Sequence, residues 1–220
     1  MATNPDFTSS LQLSLSPPAA NLCSLAALVG AIISGMLPTA ETARLCLRPL
    51  SPADATQIQQ LFPRWEIVRY LDRRVPWPYP PDGARFFIES IGLPSITRNE
   101  AWIWTLRLID FPEHIVGSIE LRLGHETNRG FWLIPDLRGR GLMTEACAWA
   151  NDFWFDSLGF PLLRVSKAAA NLASRRISER EGMRLVGFGE GSYVCGRLPA
   201  ETWEITAAEW REHKAAQPRL

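Results

Sequence analysis

The residue types best suited to chemistry lie in residues 131–146, where a short apolar run that ends at Pro135 precedes a turn rich in glycine and arginine. The turn consists of Arg138, Gly139, Arg140 and Gly141. Glycine lets the backbone approach a ligand closely, and the first amides of the helix that follows have no acceptor within the helix. Amides that converge on one spot, with two guanidinium groups beside them, suit an anion such as a pyrophosphate. A plain solvent-exposed turn is the alternative for so short a motif.

The sequence after the turn predicts the elements that hold it in place. Apolar residues with the spacing of one helical face follow it, namely Ala146, Trp149, Ala150, Phe153 and Trp154. Gly159 and Pro161 end that helix, and residues 162–165 are typical of a strand. Asn171 then opens a second helix, which ends at Gly182. The predicted order is strand, anion-binding turn, helix, strand, helix and strand.

This order of elements and the turn itself resemble the GNAT superfamily of acyl-CoA-dependent N-acetyltransferases, in particular the branch similar to ribosomal-protein N-terminal acetyltransferases. The signature of that superfamily is Gln or Arg, two residues, Gly, one residue, and then Gly or Ala. It begins here at Arg138 and continues through Gly141 to Met143, which departs from the usual small residue. The resemblance extends over residues 42–214.

A second part of the resemblance lies downstream, where relatives show Asn, two residues, Ser, and later Gly with an aromatic. Asn171, Ser174 and Gly182 match this pattern, and Met183 replaces the aromatic. The resemblance implies an α/β fold with a mixed, mainly antiparallel sheet of about six or seven strands and helices on both faces. It also implies central strands that splay apart to admit the cofactor.

The remaining elements follow from local patterns. One helix is predicted from Ser51 to about Phe62, and another ends near Ile91 after the proline-rich loop at residues 72–82. The other predicted strands are residues 45–48, 102–108, 115–123, 184–188 and 203–206. A capping box predicts a terminal helix that carries Trp210; its residues are Thr206 and Glu209.

The resemblance implies acetyl-CoA as the co-substrate and places its binding residues. Backbone amides near the turn would hold the pyrophosphate: Leu137, Arg138, Gly139, Arg140, Gly141, Leu142 and Met143. The strand Trp132, Leu133 and Ile134 would pair with the pantetheine arm, and an amide near Leu133 would polarise the thioester. Asn171 would lie near the pantetheine. Its side chain is also a natural helix cap, and both roles can hold at once.

Acyl transfer to an amine requires a neutral nitrogen, because an ammonium ion has no lone pair. At pH 7 deprotonation costs roughly 1.4 kcal/mol for an α-amine and roughly 4.6 kcal/mol for lysine. An α-amine therefore needs only a modest base. Glu120 is the candidate base, although a solvent-facing strand residue is the alternative; where many relatives place a glutamate, this chain has Asn128.

The departing thiolate also needs a hydrogen-bond donor or a proton. Much of the superfamily uses a tyrosine seven positions after the asparagine, which is Ser178 here. Ser174 is the serine that the ribosomal-protein branch often shows, and we predict it as the acid or hydrogen-bond donor. A role in the first helical turn is its alternative.

The acceptor is predicted to be a primary amine, either a protein N-terminus or a small molecule. Trp77, Tyr79 and Trp102 are candidates to line its pocket, because the proline-rich loop lies where relatives bind substrate. Aromatic core packing is the alternative, and for Trp102 it is the favoured one.

Composition limits the partners. The 23 basic and 23 acidic residues balance, so no overall positive charge favours nucleic acid.

His114 and His125 have no metal-ligand spacing, and we expect no metal site. The cysteines are far apart and have no Cys-x-x-Cys pair, which is typical of reduced thiols in the cytoplasm: Cys23, Cys46, Cys147 and Cys195. The sequence leaves open whether the protein forms a homodimer.

The first 41 residues differ from the rest, because no Lys or Arg precedes Arg44. Residues 21–37 are mostly apolar but short for a membrane span, and they lack the basic region of a secretory signal. We disfavour membrane insertion and expect a loosely ordered extension at residues 1–41. Translation that starts at Met36 is a further possibility. The acetyltransferase-like domain is then residues 42–214, with a tail at 215–220.

Two other classes of function stay open at this point. The first is a non-catalytic acyl-CoA-binding or regulatory module of the same fold, which the absent tyrosine and glutamate would permit. The second is a nucleotide-binding protein of another fold. It is disfavoured because the chain has neither a phosphate-binding Gly-x-x-x-x-Gly-Lys motif nor a dinucleotide-binding Gly-x-Gly-x-x-Gly motif after a strand.

Overall fold

A five-stranded antiparallel sheet organises the first part of the chain in the computed structural model, which describes residues 37–124 and 126–216. Its strands lie side by side in sequence order: β1 (Ala40–Glu41), β2 (Leu45–Pro49), β3 (Ala101–Leu108), β4 (Phe111–Arg122) and β5 (Arg129–Leu133). Each strand pairs with the next, so β5 lies at one edge of the sheet.

A second sheet contains β6 (Leu162–Ala168), β7 (Arg184–Tyr193) and β8 (Gly196–Thr206) in the order β6, β8, β7. Its pairings are also antiparallel. The predicted fold class is confirmed, with differences in detail: the described strands number eight rather than six or seven, all their pairings are antiparallel, and they form two sheets rather than one. The reason is local, because β5 and β6 are edge strands that face each other and do not pair along their length.

Helices connect and cover the sheets: α1 (Ala55–Leu61), α2 (Trp65–Val68), α3 (Gly83–Phe86), α4 (Leu93–Thr97), α5 (Leu142–Asp152), α6 (Leu172–Arg180) and α7 (Ala207–Ala216). A π-helical segment, Phe87–Gly92, joins α3 to α4, so the helix predicted to end near Ile91 continues to Thr97. A second π-helical segment, Phe153–Ser157, extends α5. The predicted capping box begins α7, because Thr206 and Glu209 exchange hydrogen bonds.

Two apolar cores lie on opposite faces of the first sheet, and β3 contributes to both. Trp104 and Leu106 are fully buried in the core that α5 covers. Ile103, which points the other way along the same strand, belongs to the core formed with α1, α3 and the segment between α3 and α4. Helices on both faces are therefore confirmed. We call these two sides of the molecule the α5 face and the α1 face.

The domain starts before Thr42. Residues 40–41 form β1 against β2, and the Trp104 indole donates a hydrogen bond to the Pro38 carbonyl at 2.9 Å. Leu37 also packs on the core of the α5 face. The described residues 37–41 are therefore part of the folded domain, even though Glu41 of β1 is exposed. The apolar run at 21–36 and the tail at 217–220 lie outside the described residues. Among the helices that are described, none is long and apolar enough to cross a membrane.

Candidate active site

The two sheets meet at a junction between Asn128 and Arg164. The Asn128 amide donates to the Arg164 carbonyl at 2.7 Å, and the Arg164 amide donates to Asn128 Oδ1 at 2.9 Å. From this junction β5 and β6 run on in different sheets. We call the space between these two strands the gap; central strands that splay apart are what the resemblance implies.

Asn128 is the residue that fastens the junction. Its side chain is bound on both sides, because Nδ2 donates to the carbonyls of Arg122 and Gly124 at 3.2 and 3.0 Å. It is only 7% exposed. Sequence reasoning noted Asn128 as a missing glutamate and did not foresee this role. An amide serves here where a carboxylate would not, because the site needs a donor as well as an acceptor.

The open edge of β5 presents backbone groups to the gap. The Ile134 amide donates to the Val116 carbonyl of β4 at 2.9 Å. Successive amides of a strand point to opposite edges. The Leu133 amide therefore points toward the gap, as the predicted interactions with the pantetheine arm and the thioester require.

The glycine turn lies at the far end of β5. Gly139 and Gly141 have φ angles of +77° and +78°, a region that favours glycine. Gly141 caps α5, and the Glu145 amide closes the first helical turn on the Gly141 carbonyl at 3.0 Å. The amides of Leu137 and Arg138 donate to the carbonyls of Ile134 and Pro135 at 3.3 and 3.1 Å, so they are not available to an anion as predicted. The amides from Gly139 to Met143 precede the helical hydrogen-bond ladder and can converge on one.

The two arginines of the turn have different environments. Arg138 binds back onto the domain, since its guanidinium donates to the carbonyls of Leu133 and Glu66 at 3.3 and 3.0 Å. Burial, together with repulsion from Arg69, lowers the pKa of Arg138. Arg140 is exposed. Arg138 is therefore anchored to the domain, and the predicted place of both guanidinium groups beside an anion stays a prediction.

Glu145 fixes the turn to the start of the domain. Its carboxylate accepts hydrogen bonds from Thr42 Oγ1, from the Arg44 amide and from Arg44 Nε, and the last two distances are 2.8 and 2.7 Å. Arg44 Nη1 also donates to the Arg140 carbonyl at 2.8 Å. Burial alone would raise the pKa of Glu145, but the hydrogen bonds from Thr42 and Arg44 outweigh it and lower the pKa. Glu145 is therefore a structural carboxylate.

Asn171 and Ser174 begin α6 beside the gap. Asn171 Oδ1 accepts from the Ser174 amide at 3.3 Å, which confirms the predicted helix cap. The Ser174 carbonyl accepts from Lys167 Nζ of β6 at 3.1 Å. Ser178, one turn further on, is fully buried and also binds Lys167 Nζ. Both serines are thus tied to β6 on the α5 face.

Glu120 lies on the other side of the sheet. It pairs with Ile103 and Gly130, and Ile103 belongs to the core of the α1 face. The Glu120 carboxylate is 18% exposed and forms an ion pair with Arg122. Ser174 and Glu120 therefore lie on opposite faces, and their catalytic roles stay predictions.

The aromatic residues that were predicted to line the acceptor pocket lie in three separate places. Tyr79 and Trp132 both pack edge-on against Phe62, with ring centroids at 5.1 and 5.5 Å, and burial raises the pKa of Tyr79 to about 12. Trp77 is exposed and lies 5.6 Å from the ring of Trp65, which sequence reasoning missed.

Trp102 is placed apart from the others. It is 4% exposed and packs on Trp154 and Phe160 within the core of the α5 face. The alternative left open for Trp102, core packing, describes its position. In the part of the chain that the structure describes, no three His, Cys, Asp or Glu residues are grouped to hold a metal ion.

The gap, the open edge of β5 and the glycine turn together are the features of an acyl-CoA transferase. Comparison with known proteins gives the family. Residues 44–184 match the model of the acetyltransferase (GNAT) domain. The match covers more than half of the chain. The chain therefore belongs to the GNAT acetyltransferase family, whose members are acetyl-CoA-dependent, and it is an N-acetyltransferase; the resemblance found in the sequence is confirmed.

Individual relatives are named for acetylation of ribosomal proteins. The chain is 26% identical over 180 residues to YdaF of Bacillus subtilis (strain 168), which is named as a ribosomal N-acetyltransferase; the match spans 77% of this chain and 95% of that one. Among solved structures, the ribosomal-protein-S5-alanine acetyltransferase of Vibrio fischeri matches with a TM-score of 0.67 at 16% identity, over 79% of this chain and 98% of that one. RimL, a ribosomal L7/L12 α-N-protein acetyltransferase solved with coenzyme A, matches with a TM-score of 0.63 at 16% identity, over 75% and 95% of the two chains.

Proposed function

We propose that this enzyme transfers the acetyl group of acetyl-CoA to the α-amine at the N-terminus of a protein, by direct attack in a ternary complex. The observation that carries the proposal is the gap between β5 and β6, with a glycine turn at its far end and polar groups on both faces. Relatives named for ribosomal-protein acetylation support a protein acceptor.

The cofactor half of the mechanism uses the backbone. Amides of Gly139 to Met143 bind the pyrophosphate, and Arg140 adds positive charge. The edge of β5 pairs with the pantetheine arm as an added strand would. The Leu133 amide, which points into the gap, polarises the thioester carbonyl and stabilises the oxyanion that forms there. Asn171 caps α6 near the pantetheine.

The two polar groups of the mechanism act on opposite faces of the sheet. Glu120 receives the amine proton on the α1 face, directly or through water. This modest base suffices because an α-amine costs only about 1.4 kcal/mol to deprotonate at pH 7, against roughly 4.6 kcal/mol for lysine. Ser174 meets the leaving thiolate on the α5 face. The negative charge of Glu120 and the negative charge that develops on sulfur therefore lie on opposite faces of the sheet.

The acceptor enters on the α1 face, where Glu120 and the aromatic groups lie. Tyr79 and Trp132 form the inner wall around Phe62, and the exposed Trp65 and Trp77 lie nearer to solvent. Exposed aromatic rings suit the apolar part of a peptide better than a small polar amine. We place the reaction in the cytoplasm, because the described cysteines are free thiols.

Turnover with a panel of amines tests the proposal. A peptide with a free N-terminus, the same peptide blocked by N-acetylation, and a small alkyl amine are each incubated with enzyme and acetyl-CoA, and released CoA thiol is followed. The proposal predicts turnover that depends on the free α-amine. Acetyl-CoA binding by calorimetry without turnover on any amine would identify a non-catalytic acyl-CoA-binding module instead.

A further inference from the structure

A buried cluster of charged side chains lies between the two sheets on the α5 face. Four of its members are Arg129 of β5, Lys167 of β6, Glu181 after α6 and Glu201 of β8, and each is 7% exposed or less. Charged residues are rarely buried unless they are paired. Three of these four are well paired, and Lys167 is the exception.

The carboxylates of the cluster are engaged by other cations. Arg129 holds Glu181 with two hydrogen bonds of 2.8 and 2.7 Å, and Glu201 accepts from Arg175 at 3.1 Å. Lys167 Nζ instead donates to neutral oxygens, the hydroxyl of Ser178 and the carbonyl of Ser174. Among the described residues it has no direct ion pair. An ammonium held only by neutral acceptors gives up its proton easily.

The electrostatic surroundings agree with this geometry. Burial, followed by repulsion from Arg129, lowers the pKa of Lys167 to about 7. The charges of Glu181 and Glu201 act in the opposite direction and offset part of the shift, whereas burial raises the pKa of the Cys147 thiol to about 12, so that thiol is neutral near pH 7. The lysine therefore changes charge in the pH range where the enzyme is expected to work.

The position of Lys167 connects it to the reaction. It lies three residues beyond Arg164, and Arg164 forms the junction with Asn128. At about 3.3 Å per strand residue, it lies roughly 10 Å along the β6 wall of the gap. It contacts the same turn of α6 that carries Ser174, so its ammonium lies beside the place where the thiolate is proposed to leave.

We infer that Lys167 is the proton donor to the departing CoA thiolate, with Ser174 as the hydrogen-bond donor to sulfur and Ser178 as the group that orients Nζ. This inference rests on the proposed function. The C–S bond of the tetrahedral intermediate breaks and its electron pair stays on sulfur. A proton then moves from Nζ to sulfur, which gives CoA thiol and a neutral lysine amine. The amine regains a proton from solvent before the next cycle.

The pH profile of kcat for Lys167→Met tests the inference. In the wild-type enzyme kcat falls as pH rises above about 7, because the required ammonium is lost. The substitution conserves side-chain volume, so folding and acetyl-CoA affinity should be retained. Lys167→Met should lower kcat at pH 7 by tenfold or more and remove this basic limb. Full kcat with an unchanged limb in the folded variant overturns the inference.

A matched control removes another cation from the same cluster. Arg175 lies 6.0 Å from the Trp203 ring centroid, against 5.7 Å for Lys167, but it has no bond to either serine. Arg175→Met should keep the basic limb even if stability falls. If Lys167→Met fails to fold, Ser178→Ala replaces it and should shift the limb while Lys167 remains. An unshifted limb in that variant also contradicts the inference.

A second readout does not depend on the acceptor. The ionisation of bound CoA is followed by the ultraviolet absorbance of its thiolate. A thiolate that forms beside Lys167 favours its ammonium form, so the two groups titrate as a pair and the thiol pKa should be lower in the wild-type complex than in Lys167→Met. Equal values refute the role of Lys167 even if no amine is a substrate. Absence of turnover with a lowered thiol pKa would instead count against the proposed function alone.

Discussion

Replacement of Gly139 by alanine isolates the contribution of the glycine turn to acetyl-CoA binding. The φ angle of Gly139 is +77°, and a Cβ built there meets no heavy atom within 4 Å. The cost to the free protein is therefore backbone strain alone, about 1–2 kcal/mol for a non-glycine residue in this region. For a protein of this length that corresponds to a decrease in Tm of roughly 2–8 °C.

Gly159 provides a matched control. Its φ angle is +74° and its Cβ position is also open, but it lies after α5 and away from the turn. Gly159→Ala should lose the same stability as Gly139→Ala and keep its CoA affinity. Gly139→Ala should bind CoA at least tenfold more weakly, about 1.4 kcal/mol, because the new methyl group occupies the space in front of the amides.

Gly141→Val is the stronger form of the same test. Its φ angle is +78°, and its Cβ would meet Arg44 Nη2 at the ordinary contact distance of 3.4 Å, so the two further methyl groups of valine add crowding to the backbone strain. Calorimetric titration with CoA and thermal unfolding of all three variants provide the comparison. Equal losses of affinity at Gly139 and Gly159, or unchanged affinity in folded Gly141→Val, would refute the reasoning.

Three further predictions concern the catalytic turn, the buried ion pair and the domain boundary. Ser174→Ala should lower turnover tenfold or more with little change in acetyl-CoA binding, and Ser178→Ala should lower it less, because only the first hydroxyl meets the sulfur; steady-state kinetics measure both. Glu181→Ala should cost about 3–5 kcal/mol in the free energy of unfolding, since it leaves a buried guanidinium unpaired; Glu179→Ala, which breaks an exposed pair, should cost at most about 1 kcal/mol in the same denaturant titration. A chain that begins at Met36 should remain folded and keep its CoA affinity in calorimetry.

Each of these predictions has a contradicting result. Full turnover in Ser174→Ala would reduce that serine to a residue of the first helical turn. Equal unfolding free energies for the Glu181 and Glu179 variants would mean that the buried pair is not required for stability. Aggregation of the chain that begins at Met36 would place the preceding apolar segment in the core, because Leu37 and Pro38 already contact it.

Local signals predicted the parts of the site that depend on neighbouring residues. The turn at Gly139 and Gly141 was predicted because glycine lets the backbone approach a ligand closely, and the structure adds that both residues have positive φ angles. The cap of α6 by Asn171 was predicted for a similar reason, since Asn is a preferred side chain at a helix start. The spacing from Ala146 onward predicted which side of α5 is buried.

Features that depend on distant residues were missed. Asn128 fastens two sheets through Arg164, and no pattern near Asn128 shows that partner. The burial of Lys167 depends on α6, which packs over β6, and on the neighbouring strand β8, which pairs with it. Its sequence surroundings resemble an ordinary strand. The guanidinium of Arg138 binds the Glu66 carbonyl of α2, far away in sequence.

The lengths of β7 and β8 were also underestimated. The sequence predicted residues 184–188 and 203–206, whereas the strands are Arg184–Tyr193 and Gly196–Thr206. Glycines in β7 and Pro199 in β8 are typical of loops when they are considered alone. The long hairpin pairs them nevertheless, with Pro199 opposite Glu190. Pairing between strands overrode local preference here.

The position of the acetyl group on a peptide product tests the central claim most directly. A peptide with a free N-terminus and one internal lysine is incubated with the enzyme and acetyl-CoA, and tandem mass spectrometry locates the modification. The proposed site, with a modest base and an acceptor entrance on the α1 face, predicts acetylation of the α-nitrogen alone. Acetylation of the lysine side chain, or an unmodified peptide in the presence of bound acetyl-CoA, would contradict it.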